Sequence, residues 1–429
     1  LNTLLIGRLG NRLELVIVIL LLLSIEISIL DLGALGQLIV LANYVIIPCL
    51  TIRLILINSQ RKRLIYVITR DIPLILLVSI TIFSLFWSAS PLITFDYLKR
   101  LLLNTLFGVY LATRYNPREQ MYILTWMIAI AAVLSLLGGL TFNQTEFWRG
   151  VYTYKQTLGT GMAVGAIAFL LTTFDSRRYR WITLAGFFLT VVLLLLSRSK
   201  LALSGFLISM SLMPIYKLVK QHYKLRTFLF TIMLILGLLA TILVFNNLET
   251  IVVDGMGKNL EFNGRTPIWQ NAIEQGLKRP WLGYGYHGFW TSPEGVEAMK
   301  GTWLFDIYSK VRVTTGTSFK PIAHNGFIDI FLQLGLLGLS VIIISCLIFF
   351  FRVFYLIFKT KKIEYFWMFQ MLVLALFIQV GEGSIIPGLT NLWIFYVSMS
   401  LSSAVEYRHL KKINALNKST QKIQVISLH

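Results

Sequence analysis

Gly264-Arg265-Thr266-Pro267-Ile268-Trp269 opens the stretch on which the fold turns. It runs through Arg279-Pro280-Trp281-Leu282-Gly283-Tyr284-Gly285 and closes with Ala323-His324-Asn325-Gly326 and Leu334-Gly335-Leu336-Leu337-Gly338. Most of it lies in the one long hydrophilic interval, residues 246–323, of a chain that is otherwise almost continuous apolar run. The interval holds 8 Lys/Arg against 7 Asp/Glu, so it is close to neutral and is not a basic tether. Over 265–278, Ile268, Trp269, Ala272, Ile273 and Leu277 fall on one side at helical spacing. Asn263 or Thr266 would cap that helix, Pro267 sits in its first turn, and Pro280 ends it. Residues 283–302 are rich in glycine and read as ordered loop.

Outward from this interval the chain changes character. Of 429 residues 56% are hydrophobic and only 14% charged, against about 25% charged in a soluble domain; mean hydropathy is +0.73. Repeated apolar runs read as transmembrane helices. Twelve spans are expected, near 13–30, 34–57, 72–88, 95–113, 121–141, 157–174, 181–196, 201–216, 227–245, 326–351, 366–381 and 389–405. The fold class is therefore all-α and polytopic. Spans one to nine occupy 1–245, the large loop 246–325, spans ten to twelve 326–405, and a tail 406–429.

Loops alternate in charge. Arg61-Lys62-Arg63, Arg114 and Arg118, Arg177, Arg178 and Arg180, Lys217 to Arg226, Lys359 to Lys362 and the tail form one set. By the positive-inside rule these face the cytoplasm, and an even span count puts both termini there. The other set comprises 31–33, 88–94, 142–156, Ser197-Arg198-Ser199-Lys200, 246–323 and 382–388. The net charge of +20 thus marks topology, and nucleic acid is not an expected partner. The two cysteines, Cys49 and Cys346, sit in apolar runs and suggest neither a disulfide framework nor a thiolate metal site.

Of five histidines only His287 and His324 fall on the outer side; His222, His409 and His429 do not. His324 stands where the tenth span begins. A neutral imidazole there can take a proton from a hydroxyl, and a helix N-terminus disfavours its charged form while attracting phosphate. The alternative is that His324-Asn325 only caps a helix. Arg198, between two apolar runs, either anchors at the headgroups or holds an anion, which its planar fork suits. Arg265 precedes a helix, the unfavourable end for a cation, which points to an anion partner. Arg149 and Lys155 are the cations of their loop. Outer aromatics such as Trp148, Trp269, Trp281, Tyr284, Tyr286, Trp290 and Trp303 read as an interfacial belt or as stacking platforms for sugars. The outer acids are scattered, so neither metal nor cofactor is expected.

As a set, these motifs are similar to those of the O-antigen ligase and polysaccharide polymerase (Wzy/WaaL) superfamily. The set is Gly264-Arg265-Thr266, Arg279 to Gly285, His324-Asn325-Gly326, Leu334 to Gly338, Trp148-Arg149-Gly150, Lys155-Gln156-Thr157-Leu158-Gly159 and Ser197-Arg198-Ser199. The last three look closest to the exopolysaccharide polymerase branch, with Gln156 where that branch usually has asparagine. The resemblance covers roughly 145–350. It implies a C-type glycosyltransferase architecture and a glycan donor linked to polyprenyl pyrophosphate, transferred with inversion and without metal. It further implies His324 as general base and Arg198 and Arg265 as pyrophosphate ligands. Arg149, Lys155, Tyr284, Asn325 and His287 complete the expected substrate contacts.

The expected function is polymerisation of a surface polysaccharide by a glycosyltransferase of the bacterial inner membrane, its site facing the periplasm. Lipid-linked oligosaccharide donor and acceptor, membrane lipid and a chain-length regulator protein are the expected partners. A ligase acting on lipid A-core is the near rival. A transporter or lipid-linked sugar flippase is the distant one, resting on Glu26, Arg53, Asp96 and Asp329 within or beside spans.

Overall fold

The computed structural model describes residues 2–27, 34–141, 147–214, 216, 264–315, 321–383, 388 and 390–426. These form helices α1 (Asn2–Glu26), α2 (Ala34–Leu56), α3 (Asn58–Ile68), α4 (Ile72–Phe83), α5 (Pro91–Arg114), α6 (Pro117–Thr141), α7 (Lys155–Asp175), α8 (Arg180–Leu196) and α9 (Lys200–Ser211). They continue with α10 (Arg265–Gly276), α11 (Pro293–Met299), α12 (Trp303–Thr315), α13 (Gly326–Thr360), α14 (Ile363–Gly381) and α15 (Asn391–Ile426). Among the described residues no strand occurs.

Five helices, α2, α6, α7, α13 and α14, are long and apolar enough to cross a membrane; the pair α3 and α4, bent by 84°, makes a sixth if counted as one. The protein is an all-helical, multi-pass membrane protein. Every expected span among the described residues falls on a helix, but several fail as independent spans. In α1, Arg12, Glu14 and Glu26 interrupt the apolar run, while α8 has 17 residues and α9 only 12. The expected span 227–245 lies outside the described residues.

α7, like α14, has 78% of its apolar window buried. Its small residues allow this. A Cβ at Gly165 would lie 2.5 Å from Ile128 of α6 and 3.1 Å from Thr190 of α8, the close approach that drives helix association in lipid. Gly108 does the same for α5 against α15, where a Cβ would lie 2.7 Å from the Ile394 carbonyl.

The loops gather at two ends, as their charge suggests. At one end Arg118 pairs with Asp175 at 2.6 Å, and a cavity of about 600 Å³ is lined by Arg118, Asp175, Lys361, Lys362 and Glu406 together. Arg63 and His409 meet there beside Asn116. Glu14, buried, accepts from Tyr110 at 2.5 Å and from Arg114 at 2.7 Å. At the other end Ala89 N–H donates to Tyr284 O at 2.9 Å, and Thr94 Oγ1 to Tyr286 O at 2.8 Å. Two charges behind the transporter reading are not buried in the bundle. Arg53 is 61% exposed and pairs with Glu14, and Asp96 is 65% exposed and pairs with Lys99.

The segment after residue 263 has a small core, shared with the start of α13. Ile268, Ala272, Tyr284, Phe289, Trp290, Met299 and Leu332 pack together. The region expected as loop over 283–302 contains α11, because Ser292 caps it by accepting from Gly295 N–H at 3.1 Å and Pro293 occupies its first turn. This unit is fastened to α13 at a break. Gly335, with φ 66° and ψ −167°, interrupts the helix. The groups this frees are taken by the loop 280–285. Tyr284 N donates to Leu332 O (2.9 Å), Gly285 N to Gln333 O (2.8 Å), Leu336 N to Pro280 O (2.7 Å) and Leu337 N to Trp281 O (3.2 Å).

Gly335→Ala should therefore destabilise the protein by roughly 2–5 kcal/mol, since this conformation is essentially confined to glycine and a Cβ would overpack the site. That Cβ would lie 2.2 Å from Trp281 O. Gly301→Ala, at φ 73° with open space around the new Cβ, should cost only ~1–2 kcal/mol of backbone strain. Thermal unfolding of both variants in one detergent checks the difference.

Candidate functional site

The site is built from the start of α10, the residues preceding α13 and the turn after α14. Gly264 takes φ 76° as the N-cap of α10, and its carbonyl accepts from Trp303 Nε1 at 3.2 Å. Thr266 is thus not the cap, and Asn263 lies outside the described residues. The turn aims Arg265, half-buried, across to Gly381, whose carbonyl accepts from its guanidinium at 2.8 Å. Burial lowers the Arg265 pKa, and Glu382 beside it acts in the opposite sense. Glu382 in turn is raised by its own burial and lowered by Arg265.

His324 is half-buried, its ring centred 5.9 Å from that of Trp303. Burial first, and then the Arg265 charge, push its pKa down to about 4. The imidazole thus feels the guanidinium charge, and the low pKa keeps it neutral at physiological pH. Its backbone is held from both sides at Ala323, whose N–H donates to Asp329 Oδ1 at 3.1 Å and whose carbonyl accepts from Trp269 Nε1 at 2.7 Å. Asn325 caps α13, its Oδ1 accepting from Phe327 N at 3.0 Å and Ile328 N at 3.2 Å. That leaves only its amide nitrogen for a ligand.

Arg198 is exposed in the turn between α8 and α9, with φ 50°. Ser197 and Ser199 flank it, both buried, and a Cβ at Gly159 would lie 2.6 Å from Ser199. Leu201, three residues on, packs against Gly381, where a Cβ would come within 2.8 Å. Gly381 thus ties the Arg198 turn to the Arg265–His324 pair at one end of the bundle. Lys155 begins α7 at this end with its Nζ 3.5 Å from the Phe147 ring centre, a cation–π contact. Arg149 is exposed in a turn held by Trp148 Nε1, which donates to Ser135 O at 3.2 Å.

Two expected substrate contacts sit elsewhere. Tyr284 is fully buried and its hydroxyl donates to Gln275 O at 2.9 Å, so its ring has no open face for a sugar. His287 stacks on Tyr97 of α5 at 3.7 Å and 15°, and its N–H donates to Gln333 Oε1 at 3.2 Å. Most outer aromatics are core residues, because this loop needs a core of its own; Trp281, 69% exposed, stands at the surface. Sequence reasoning missed Glu382 as the neighbour of Arg265, although a lone acid between two glycines in an outer loop was a signal. It assigned Asp329 to transport, although its position five residues after His324, in the first turn of the helix that follows, pointed to the histidine. Among the described residues no cluster of His, Cys, Asp and Glu is arranged to hold a metal.

Residues 185–343 match the family model described as O-Antigen ligase. Over that segment, well under half of its length, the chain is similar to this family. The match begins in α8 and ends past the Gly335 break, so it takes in Arg198, Arg265, Arg279 to Gly285 and His324. The exopolysaccharide production protein ExoQ of Rhizobium meliloti (strain 1021) is 29% identical over 103 residues. That similarity spans 24% of this chain and 22% of the relative. The resemblance to the O-antigen ligase and polysaccharide polymerase superfamily is thus met by two independent comparisons.

The low pKa of His324 has a definite sign. The unfolded chain takes up the proton near 6.5 and the folded one near 4. Stability from this group is complete above pH 6.5 and is lost as pH falls toward 4. A histidine-selective NMR titration should find its midpoint near 4. In Arg265→Gln the midpoint should rise, but only part of the way to 6.5, because burial is the larger cause. A wild-type midpoint at 6.5 would mean a solvated imidazole and a different site.

Proposed function

We propose that the protein is a membrane glycosyltransferase that lengthens a bacterial surface polysaccharide, drawing on a glycan linked to polyprenyl pyrophosphate. The single observation that carries this reading is Gly381, whose carbonyl accepts from Arg265 and against which Leu201 of the Arg198 turn packs, with His324 within reach of the Arg265 charge. A sugar hydroxyl of the acceptor gives its proton to His324 and attacks the anomeric carbon of the donor. The new glycosidic C–O bond forms as the bond to the pyrophosphate oxygen breaks, and polyprenyl pyrophosphate leaves. The leaving group gathers negative charge in the transition state, where fixed guanidinium groups stabilise it without reorganising. Arg149 and Lys155 extend the cationic surface toward the lipid-linked phosphates.

The loops bearing these residues are poor in Lys and Arg, apart from the residues read as anion ligands and the near-neutral large loop. By the positive-inside rule this end faces the periplasm and the Arg118 end the cytoplasm of the inner membrane. The description of the matched family favours a second reading, transfer of finished glycan to a different acceptor. Its chemistry is the same and only the acceptor differs.

His324→Ala should reduce glycan transfer by about 10²–10⁴-fold in purified protein with unchanged abundance and unfolding temperature. Full-length polymer from that variant would remove the base assignment. Supplied with one lipid-linked repeat unit as both donor and acceptor, the wild-type protein should yield a ladder of products on a gel. A ligase would leave the unit unextended. EDTA should leave the ladder unchanged; loss that magnesium or manganese restores would require a metal step.

A further inference from the structure

Asp329 sits in the first turn of α13 and is 1% exposed. Its Oδ1 accepts two hydrogen bonds, from Trp290 Nε1 at 2.8 Å and from Ala323 N–H at 3.1 Å. Its Oδ2 is buried without a hydrogen-bond partner among the described residues. It is not the helix cap, because Asn325 fills that place. An apolar side chain would fill the space without the desolvation that a buried carboxyl group incurs. The location of the bonded oxygen supplies the reason for a carboxylate. It fixes the N–H of Ala323, and Trp269 Nε1 fixes the carbonyl of the same residue at 2.7 Å. The next residue is His324, held at φ 53°. A non-glycine residue keeps that conformation only where its surroundings over-determine it. Two side chains from separate elements on one neighbouring residue do that.

We propose that Asp329 is a positioning residue for His324: with the Trp269 indole it clamps Ala323 and so sets the direction from which the imidazole meets the acceptor hydroxyl. The inference rests on the reading of His324 as base. It adds that the base is oriented through its backbone, from the first turn of the helix that follows it.

The test uses the full chain in lipid nanodiscs with a polyprenyl-pyrophosphate-linked repeat unit. His324→Ala is measured first; if that variant is fully active, the base reading itself has failed, whatever Asp329 does. With His324→Ala inactive, Asp329→Ala should lower kcat by about 10–100-fold while the KM for the donor stays put, since Arg198 and Arg265 are untouched. Asp329→Asn keeps an oxygen at the Oδ1 position and should restore most of the activity. Wild-type kcat in a folded Asp329→Ala protein would overturn the proposal, as would equal loss in the Asn and Ala variants. Should Asp329→Ala fail to reach wild-type abundance, Trp269→Phe decides, because it removes one clamp donor and keeps a ring in the core. Lower kcat at constant donor KM supports the clamp, and unchanged kcat removes it.

Discussion

Four backbone hydrogen bonds at the Gly335 break hold the outer unit to the membrane bundle. A helix of 35 residues with one residue at φ 66° and ψ −167° leaves amide and carbonyl groups without helical partners. In a low-dielectric setting each such group must be satisfied. The segment Pro280 to Gly285 satisfies them, and Gly283 lets it come close enough, since a Cβ there would lie 2.7 Å from the Leu332 carbonyl. The two glycine motifs, 45 and more residues apart in sequence, are halves of one joint. Because α10 precedes that joint and His324 lies just before the helix that contains it, the joint sets where Arg265 and His324 stand relative to the bundle.

Backbone strain coincides with the groups proposed for chemistry. Four non-glycine residues among those described have left-handed φ: Arg198, His287, His324 and Lys361. Lys361 closes α13, a common use of that conformation at a helix end. The other three stand in links between helices. Each is fixed by backbone contacts on itself or on its neighbour: Arg198 N to Leu195 O at 3.1 Å, His287 N to Gln333 Oε1 at 3.2 Å, and Ala323 on both sides. An arginine or histidine at a position that suits glycine better implies that the side chain, not the turn, is what the position requires.

Much of the architecture was legible because lipid imposes simple rules. Apolar length marked the helices, and alternating charge sorted the loops into two sets. Legibility ended where span length and polarity conflict, as in α8 and α9, or where α1 carries Arg12 and Glu14 through an apolar run. Within the outer segment the start of α10 was readable from Pro267 and the apolar spacing. The role of Tyr284 was not, because a tyrosine in a glycine-rich loop has the same local pattern whether it stacks on a ligand or fills a core. Pairings such as Arg265 with Gly381 and Glu382 join residues more than 100 positions apart, and no local spacing encodes them.

His324 shows why placing a group and tuning it are separate problems. Burial, and after it the Arg265 charge, keep its imidazole neutral and also make it a weak base, with a pKa of about 4. A base works best when its pKa lies near the working pH. A lipid-linked diphosphate held by Arg265 would carry negative charge to the place where the cation now acts alone. Opposite charge beside an imidazole favours its protonated form, so an occupied site would have a stronger base than an empty one. Burial is the larger cause and would persist, leaving the imidazole sheltered from bulk protons. The cation proposed to bind the leaving group would then stop opposing proton transfer only when the donor is present.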